Sequence, residues 1–432
     1  MSTTGSTTAS VQNPLGAMRE IPYMGVIYVV HEAMKLGFSN GHPDWCNLGQ
    51  GQPEVGEMRG APPRISQIEM QPGDHAYGPI DGSVELRGAI AAHYNRLYRR
   101  GKSSQYTADN VSVAAGGRLV LSRVFAALGD GRLGYQIPDY TAYEDMIAYH
   151  QHRLTPVVLP AKEEDGFAIP PADFEAVMAR ENLTAFLISN PCNPTGKVLR
   201  GDDLCRYVMA SKQADCTLIL DEFYSHFIYD GDEPGQGPVS GAAFVDDVEE
   251  DAVLLIDGLT KSFRYPGWRV GWAVGPREMV QTLGRAASAI DGGPGMPIQR
   301  AAIEVLQPER ADQETKALRD VFSEKKNEMC RRLRGMGIRL AAESEATFYA
   351  WGTLADLPAP LNDTETFFRR ALERKVLTVP GHFFDVNPGG VRPGPSPFTD
   401  WMRFSFGPPQ DNMRLGLTRL EEMVAEAKGQ SG

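Results

Sequence analysis

The stretch Val253-Leu-Leu-Ile-Asp-Gly-Leu-Thr-Lys-Ser-Phe-Arg-Tyr-Pro-Gly-Trp-Arg-Val-Gly-Trp272 joins an apolar run to a lysine, and then to glycine, arginine and tryptophan. Four apolar residues bounded by turn residues read as a short buried strand. A surface lysine needs no such run behind it, and no arginine eight residues ahead. At the edge of a buried sheet, partial desolvation lowers a lysine's pKa and makes it a candidate nucleophile. Lys261 is that candidate.

Working outward, runs of the same kind recur at 111–114, 134–137, 185–189 and 217–220, with helices predicted over 118–128 and 202–212. Short buried strands alternating with helices predict an α/β fold with a mainly parallel sheet covered on both faces. A long charged helix over 313–334 leads into a different pattern. Strands at 348–351, 376–379 and 402–406, with helices near 365–374 and 411–427, predict a small α+β domain. The expected division is a large domain over 48–310 and a small one over 311–432. Residues 1–47 form an N-terminal segment packing on the small domain or the substrate site. Its first fourteen residues, rich in Ser and Thr, are expected to be disordered, and 21–36 form a lid or short helix.

The 432 residues carry a net charge of −12, which argues against nonspecific binding to nucleic acid or anionic membrane. Cys46, Cys192, Cys205, Cys216 and Cys330 are scattered without metal-ligand spacing, which fits a reducing compartment. The early apolar run 21–30 is too short to span a bilayer, and no secretion signal precedes it. A cytoplasmic protein is expected.

In open α/β sheets, ligands bind beyond the carboxyl ends of the strands. Asp221-Glu-Phe-Tyr224 follows one apolar run and Asn190-Pro-Cys-Asn-Pro-Thr-Gly196 another. Gly116-Gly-Arg118 follows a third and opens a helix, whose N-terminus favours a phosphate. Arg403, inside the alternation Trp401-Met-Arg-Phe-Ser-Phe406, points to a buried anion partner. Taken singly, these residues read as a cap, a turn, a common βα glycine pair and a surface charge, and Tyr140 as an ordinary aromatic. Together they meet the needs of pyridoxal phosphate. A lysine condenses with its aldehyde, a carboxylate keeps the ring nitrogen protonated, and a helix start and an arginine hold its phosphate.

With these residues the chain resembles the fold type I pyridoxal-phosphate enzymes, specifically the class I/II aminotransferases of the aspartate aminotransferase superfamily. The resemblance runs from about residue 48 to the C-terminal helix. Thr260-Lys261-Ser262 and Pro266-Gly-Trp-Arg-Val-Gly271 match the family's lysine motif. The resemblance implies that Lys261 forms the Schiff base and is the catalytic acid/base, with Arg269 on the phosphate beside Thr260. It implies Asn193 and Tyr224 on the cofactor's phenolic oxygen, Asp221 on the pyridine nitrogen and Tyr140 stacked on the ring. Gly116, Gly117 and Arg118 form the phosphate cup. Arg403, Gly51 and Asn193 meet the substrate carboxylate, and Tyr77 reaches the phosphate of a neighbouring subunit in a homodimer. The implied reaction moves an amino group from an amino acid to a 2-oxo acid.

Two departures stand out. Gly258 replaces the serine the family usually carries three residues before the lysine, and its partner in the cup is Gly117, which predicts a looser hold on phosphate or compensation by Arg118 and Thr260. The stretch Ile290-Asp-Gly-Gly-Pro-Gly-Met296 lacks the arginine that dicarboxylate-specific members use, and Asp291 there suits a cationic side chain. Lyases, decarboxylases, racemases, cyclising synthases and oxidative enzymes share most of these residues, so the bond broken stays open. A non-catalytic regulator is the reading from another class.

Overall fold

The computed structural model describes residues 17, 18, 20–229 and 237–430. The first fourteen residues, expected to be disordered, lie outside this range. The chain builds a seven-stranded sheet in the order Val111–Ala114, Gly271–Val274, Val253–Gly258, Thr217–Asp221, Ala185–Ser189, Gly131–Ile137, Leu154–Pro160. The strand Val253–Gly258 is buried at every position, as are Ala185–Ser189 and Gly271–Val274, so continuous apolar runs mark strands covered on both faces. The helices Gly117–Ala127, Pro171–Glu181, Gly201–Gln213 and Arg277–Ile290 belong to this α/β layer.

Every neighbouring pair is parallel except those made by Gly271–Val274, which runs antiparallel to both its neighbours. Parallel strands need a crossover of a dozen or more residues, usually helical. The link 259–270 instead holds Pro266 and forms only the short 3-10 turn Pro266–Trp268. The chain therefore doubles back beside the strand it has just left, and the turn stays at that strand's carboxyl end.

The helix Pro308–Met336 is longer at both ends than the sequence pattern predicts. Proline is tolerated in a first turn, where its missing N–H is not needed, and Gly337 stops the helix in the left-handed region (φ 95°). Beyond it lies a four-stranded antiparallel sheet in the order Val379–Pro380, Trp401–Ser405, Tyr349–Thr353, Arg339–Leu340. The predicted strand at 376–379 is two pieces. Val376–Leu377 pairs in parallel with Cys46–Asn47, and after Thr378 the chain joins the other sheet. An apolar run reports burial but not which partner receives it.

The expected short helix near the N-terminus is Gly25–Lys35. Its first residue is buried with φ +53°, and a Cβ there would lie 2.7 Å from Thr141 Oγ1. Tyr28 packs on Phe383, and Arg369 bridges Tyr28 and Glu32. The helix is thus held against both Thr141 and the C-terminal region.

Two buried cations tie the segment at 54–56 to the long helix. Arg264 pairs with Glu314 at 2.5 Å and donates to the carbonyls of Glu54 and Gly56. Lys325 pairs with the Glu54 carboxylate at 2.6 Å. Removing one partner of such a pair strands the other charge, whereas replacing both with apolar groups can be nearly neutral. Glu314→Ala is therefore expected to cost about 3–5 kcal/mol, and the exchange Arg264→Met with Glu314→Leu far less. Urea unfolding of the three proteins measures this, and equal losses would refute the account.

Candidate active site

The strands Val111–Ala114, Gly131–Ile137, Ala185–Ser189, Thr217–Asp221 and Val253–Gly258 run in one direction, so their carboxyl ends share one edge. Lys261 follows the last of them by three residues, inside the reversing turn. Its Nζ donates to the carbonyl of Gly51 and lies 6.0 Å from the Tyr224 ring centroid. Burial pulls its amine down to about 7, and the guanidinium groups of Arg403, Arg118 and Arg269 act in the same direction against the opposing charge of Asp221. An amine in that state can act as a nucleophile or carry a proton near neutrality.

Asp221 ends its strand almost fully buried. Burial pushes its carboxyl up to about 6, although Tyr143 donates to Oδ2 at 2.7 Å and the Phe223 N–H approaches Oδ1. It remains an anion at neutral pH and could pair with a buried cation. Asn193 Oδ1 accepts from Arg403 Nη1 at 2.8 Å, and the Asn193 N–H donates to Ser189 Oγ. Ser189 in turn donates to Asp139, whose carboxyl burial pushes up to about 8.

Arg403 is 1% exposed. Its guanidinium carbon lies 4.0 Å from the ring centroid of Tyr349 and 5.0 Å from that of Phe384. Nη2 donates to the Gly49 carbonyl, while the buried Nε has no hydrogen-bond partner. A buried guanidinium with an unsatisfied N–H suits an incoming carboxylate. The alternation around Arg403 pointed to a buried anion partner; the side chain is buried, and its hydrogen-bond partners here are the neutral oxygens of Asn193 and Gly49.

The start of the helix Gly117–Ala127 meets Arg269. Gly116 has φ +97°, and a Cβ on it would lie 2.2 Å from Arg269 Nη2. Helices leave their first N–H groups without intrahelical partners, so those groups and this guanidinium could hold one anion between them. Arg118 donates to the Tyr140 hydroxyl at 3.2 Å, and Thr260 is half-buried beside Lys261. Gly51 faces Tyr349, whose hydroxyl is 3.6 Å from where a Cβ would stand. Tyr77 is fully exposed and is not gathered with the others.

The two glycine departures share one neighbour, the ring of Phe223, though at Gly258 the returning backbone stands closer still. A Cβ on Gly117 would lie 2.4 Å from two ring carbons of Phe223, and one on Gly258 would lie 2.9 Å from a third. Gly258 also faces the Val270 carbonyl at 2.5 Å. The Phe223 ring excludes a side chain at Gly117 and, together with the returning strand, at Gly258. Asp291 overturns an expectation. Its two oxygens bind the buried Arg123 at 2.6 and 3.0 Å, so it is not free for a cationic ligand. Its partner came from a helix 168 residues away, beyond any local pattern.

The sequence pattern did not single out Tyr143, Phe223 or Tyr349. Tyr143 is three residues after Tyr140, and Phe223 lies between Asp221 and Tyr224, so both sat within motifs already noticed. A Ser at 117 is expected to overpack against Phe223. Gly117→Ser should cost about 1–3 kcal/mol, and adding Phe223→Val should restore part of it. Thermal midpoints of the single and double variants measure this, with strict additivity as the contrary result.

The electron-poor ring, phosphate and aldehyde of pyridoxal phosphate fit this donor set: a lowered-pKa amine, a buried anion and a helix start beside Arg269. The family model for aminotransferase class I and II matches residues 43–420. The aspartate aminotransferase of Streptomyces avermitilis is 25% identical over 409 residues, which is 91% of this chain and 90% of that one. The probable N-succinyldiaminopimelate aminotransferase DapC of Mycobacterium tuberculosis is 28% identical over 391 residues, 88% and 92% of the two chains. The structure of Thermus thermophilus aspartate aminotransferase with maleate aligns with a TM-score of 0.76 at 22% identity, covering 94% of this chain and all of that one, and so shares the fold. With most of its length matched and this α/β architecture, the chain belongs to the aminotransferase class I and II family of fold type I pyridoxal-phosphate enzymes.

Proposed function

We propose that the protein is a pyridoxal-phosphate-dependent aminotransferase that moves an amino group from an amino acid to a 2-oxo acid. The observation that carries this reading is the convergence of Lys261, Asp221, Asn193, Tyr224 and Arg403 around one sheet edge, with the amine pulled down to about 7. When bound, the cofactor supplies a ring that accepts negative charge from the amino acid's α-carbon.

The chain's own residues do the rest. Lys261 would hold the cofactor, and its amine would take up and give back the proton at the substrate's α-carbon. Asp221 would keep the ring nitrogen protonated, and Tyr143 holds that carboxylate in place. Asn193 and Tyr224 would hold the phenolic oxygen, with Tyr140 beside the ring. Gly116, Gly117, Arg118, Thr260 and Arg269 hold the phosphate. Arg403, with Gly51 and Asn193, orients the substrate carboxylate, which contributes positioning rather than chemistry. In this reading residues 48–310 form the cofactor-binding domain and 311–432 the small one, with 1–47 as the flanking segment. The same reading makes the protein a homodimer with shared active sites, in which Tyr77, fully exposed in the single chain, reaches the phosphate held by a second copy. Among the described residues no helix is long and apolar enough to cross a membrane, and a cytoplasmic location fits the scattered free cysteines.

Lys261→Ala is expected to abolish transamination across a panel of amino donors with 2-oxo acid acceptors. Turnover by that variant would refute the assignment, and a wild-type protein that binds pyridoxal phosphate but never transaminates would favour a lyase or decarboxylase. Arg403→Lys should lower kcat/KM for the amino donor by roughly 10- to 100-fold, the loss of a forked charge-assisted bond worth about 1.5–3 kcal/mol. The free Lys261 amine is neutral above pH about 7. Uptake of pyridoxal phosphate by the apoprotein should therefore speed up through pH 7 and then level off, whereas an ordinary lysine keeps gaining towards its usual value of about 10.4. Stopped-flow absorbance distinguishes the two profiles.

A further inference from the structure

Tyr349 has no part in the reading above, yet it lies at the centre of the site. The strand Tyr349–Thr353 pairs with Trp401–Ser405 in antiparallel register, and Trp351 is directly opposite Arg403. Tyr349 is two residues before Trp351, on the same face of its strand. Its ring therefore lies under the guanidinium of Arg403, 4.0 Å from centroid to carbon. Its hydroxyl is 2.7 Å from that of Tyr224 and faces Gly51, whose carbonyl accepts from Lys261. Both tyrosines are buried.

Two buried hydroxyls at this distance share one proton between their oxygens, and the more acidic phenol is the better donor. Arg403, stacked on the Tyr349 ring, stabilises negative charge there more than on Tyr224. That orders the pair. In that order Tyr349 would donate to Tyr224, and the Tyr224 proton would be left to point at a further acceptor. Donors in series polarise one another, so the second bond is stronger for having the first behind it.

We propose that Tyr349 is a positioning residue, which by donating to Tyr224 aims and strengthens the hydrogen bond that Tyr224 gives to the cofactor's phenolic oxygen. The proposal rests on the functional reading above and deepens it. The same ring braces Arg403, so one residue serves both the cofactor and the substrate carboxylate. The two duties are separable, because phenylalanine keeps the ring and loses only the hydroxyl.

The test is a pH titration of the visible absorbance of the holoenzyme, in the wild type, Tyr349→Phe, Tyr224→Phe and the double variant. Strengthening a bond to the phenolic oxygen favours its anionic form, so removing the Tyr349 hydroxyl should raise the midpoint of the spectral change by about half a unit to one unit. Tyr224→Phe should raise it further, and adding Tyr349→Phe to Tyr224→Phe should change nothing more. KM for the amino donor should stay within about twofold in Tyr349→Phe, because the ring still supports Arg403, and rise in Tyr349→Ala. An unshifted midpoint in Tyr349→Phe overturns the proposal alone, as does a shift that persists when Tyr224 is already phenylalanine. Absence of any visible band after pyridoxal phosphate is added overturns the functional reading and this proposal with it.

Discussion

The chain reversal after Gly258 is the constraint from which the rest of the site follows. Had the strand Val253–Gly258 been followed by a crossover helix, Lys261 and Arg269 would have been carried away over a face of the sheet. Instead the link returns at once as the antiparallel strand Gly271–Val274 and keeps both residues at the carboxyl edge. The reversal also closes the distance between strand ends. A Cβ on Gly271 would be 2.8 Å from the Gly117 nitrogen, so the returning strand lies against the start of the neighbouring helix. A site assembled from five separate strand ends needs such close backbone contacts to hold its geometry.

The electrostatics of that edge are deliberately unbalanced. Burial weighs most on one amine, three guanidinium groups add to its effect, and Asp221 is the opposing charge. The amine is neutral in the folded chain between pH about 7 and the value of an unfolded lysine, so across that window the unfolded chain binds more protons. Stability of the unliganded protein from this group therefore rises with pH there. Asp221 works the other way: its carboxyl is raised by burial to about 6, and between the ordinary carboxylate value and pH 6 the folded chain binds more protons. Stability from that group falls as pH rises through this interval. Both groups are held away from their comfortable states at neutrality, which is the condition of a site organised for a charged ligand.

Much of this was legible in the sequence because strand ends are marked locally. An apolar run followed by Asp221, Asn190 or Lys261 announces both the strand and what it presents, and Arg403 inside an apolar alternation announces its own burial. What could not be read depends on distant partners. The direction of Gly271–Val274 was set by the failure of a linker to form a helix, and the break at Thr378 by a change of neighbours. Asp291 was spoken for by Arg123, and Tyr349 gained its significance from a residue 125 positions earlier. Periodicity carries no information about such pairings.

The ring of Phe223 has a consequence for how this chain can change over time. Gly117, Phe223 and Gly258 come from three different strand ends and look like three unrelated peculiarities. In space all three meet at one aromatic ring, which takes the volume of a side chain at Gly117 and borders Gly258, where the returning backbone lies nearer. A lineage carrying Phe223 cannot regain a residue at 117 in a single step without collision, and a residue at 258 must also displace the returning strand. Positions 117 and 223 are therefore expected to drift together, and a relative that carries a hydroxyl at 117 should carry a smaller residue in place of the ring.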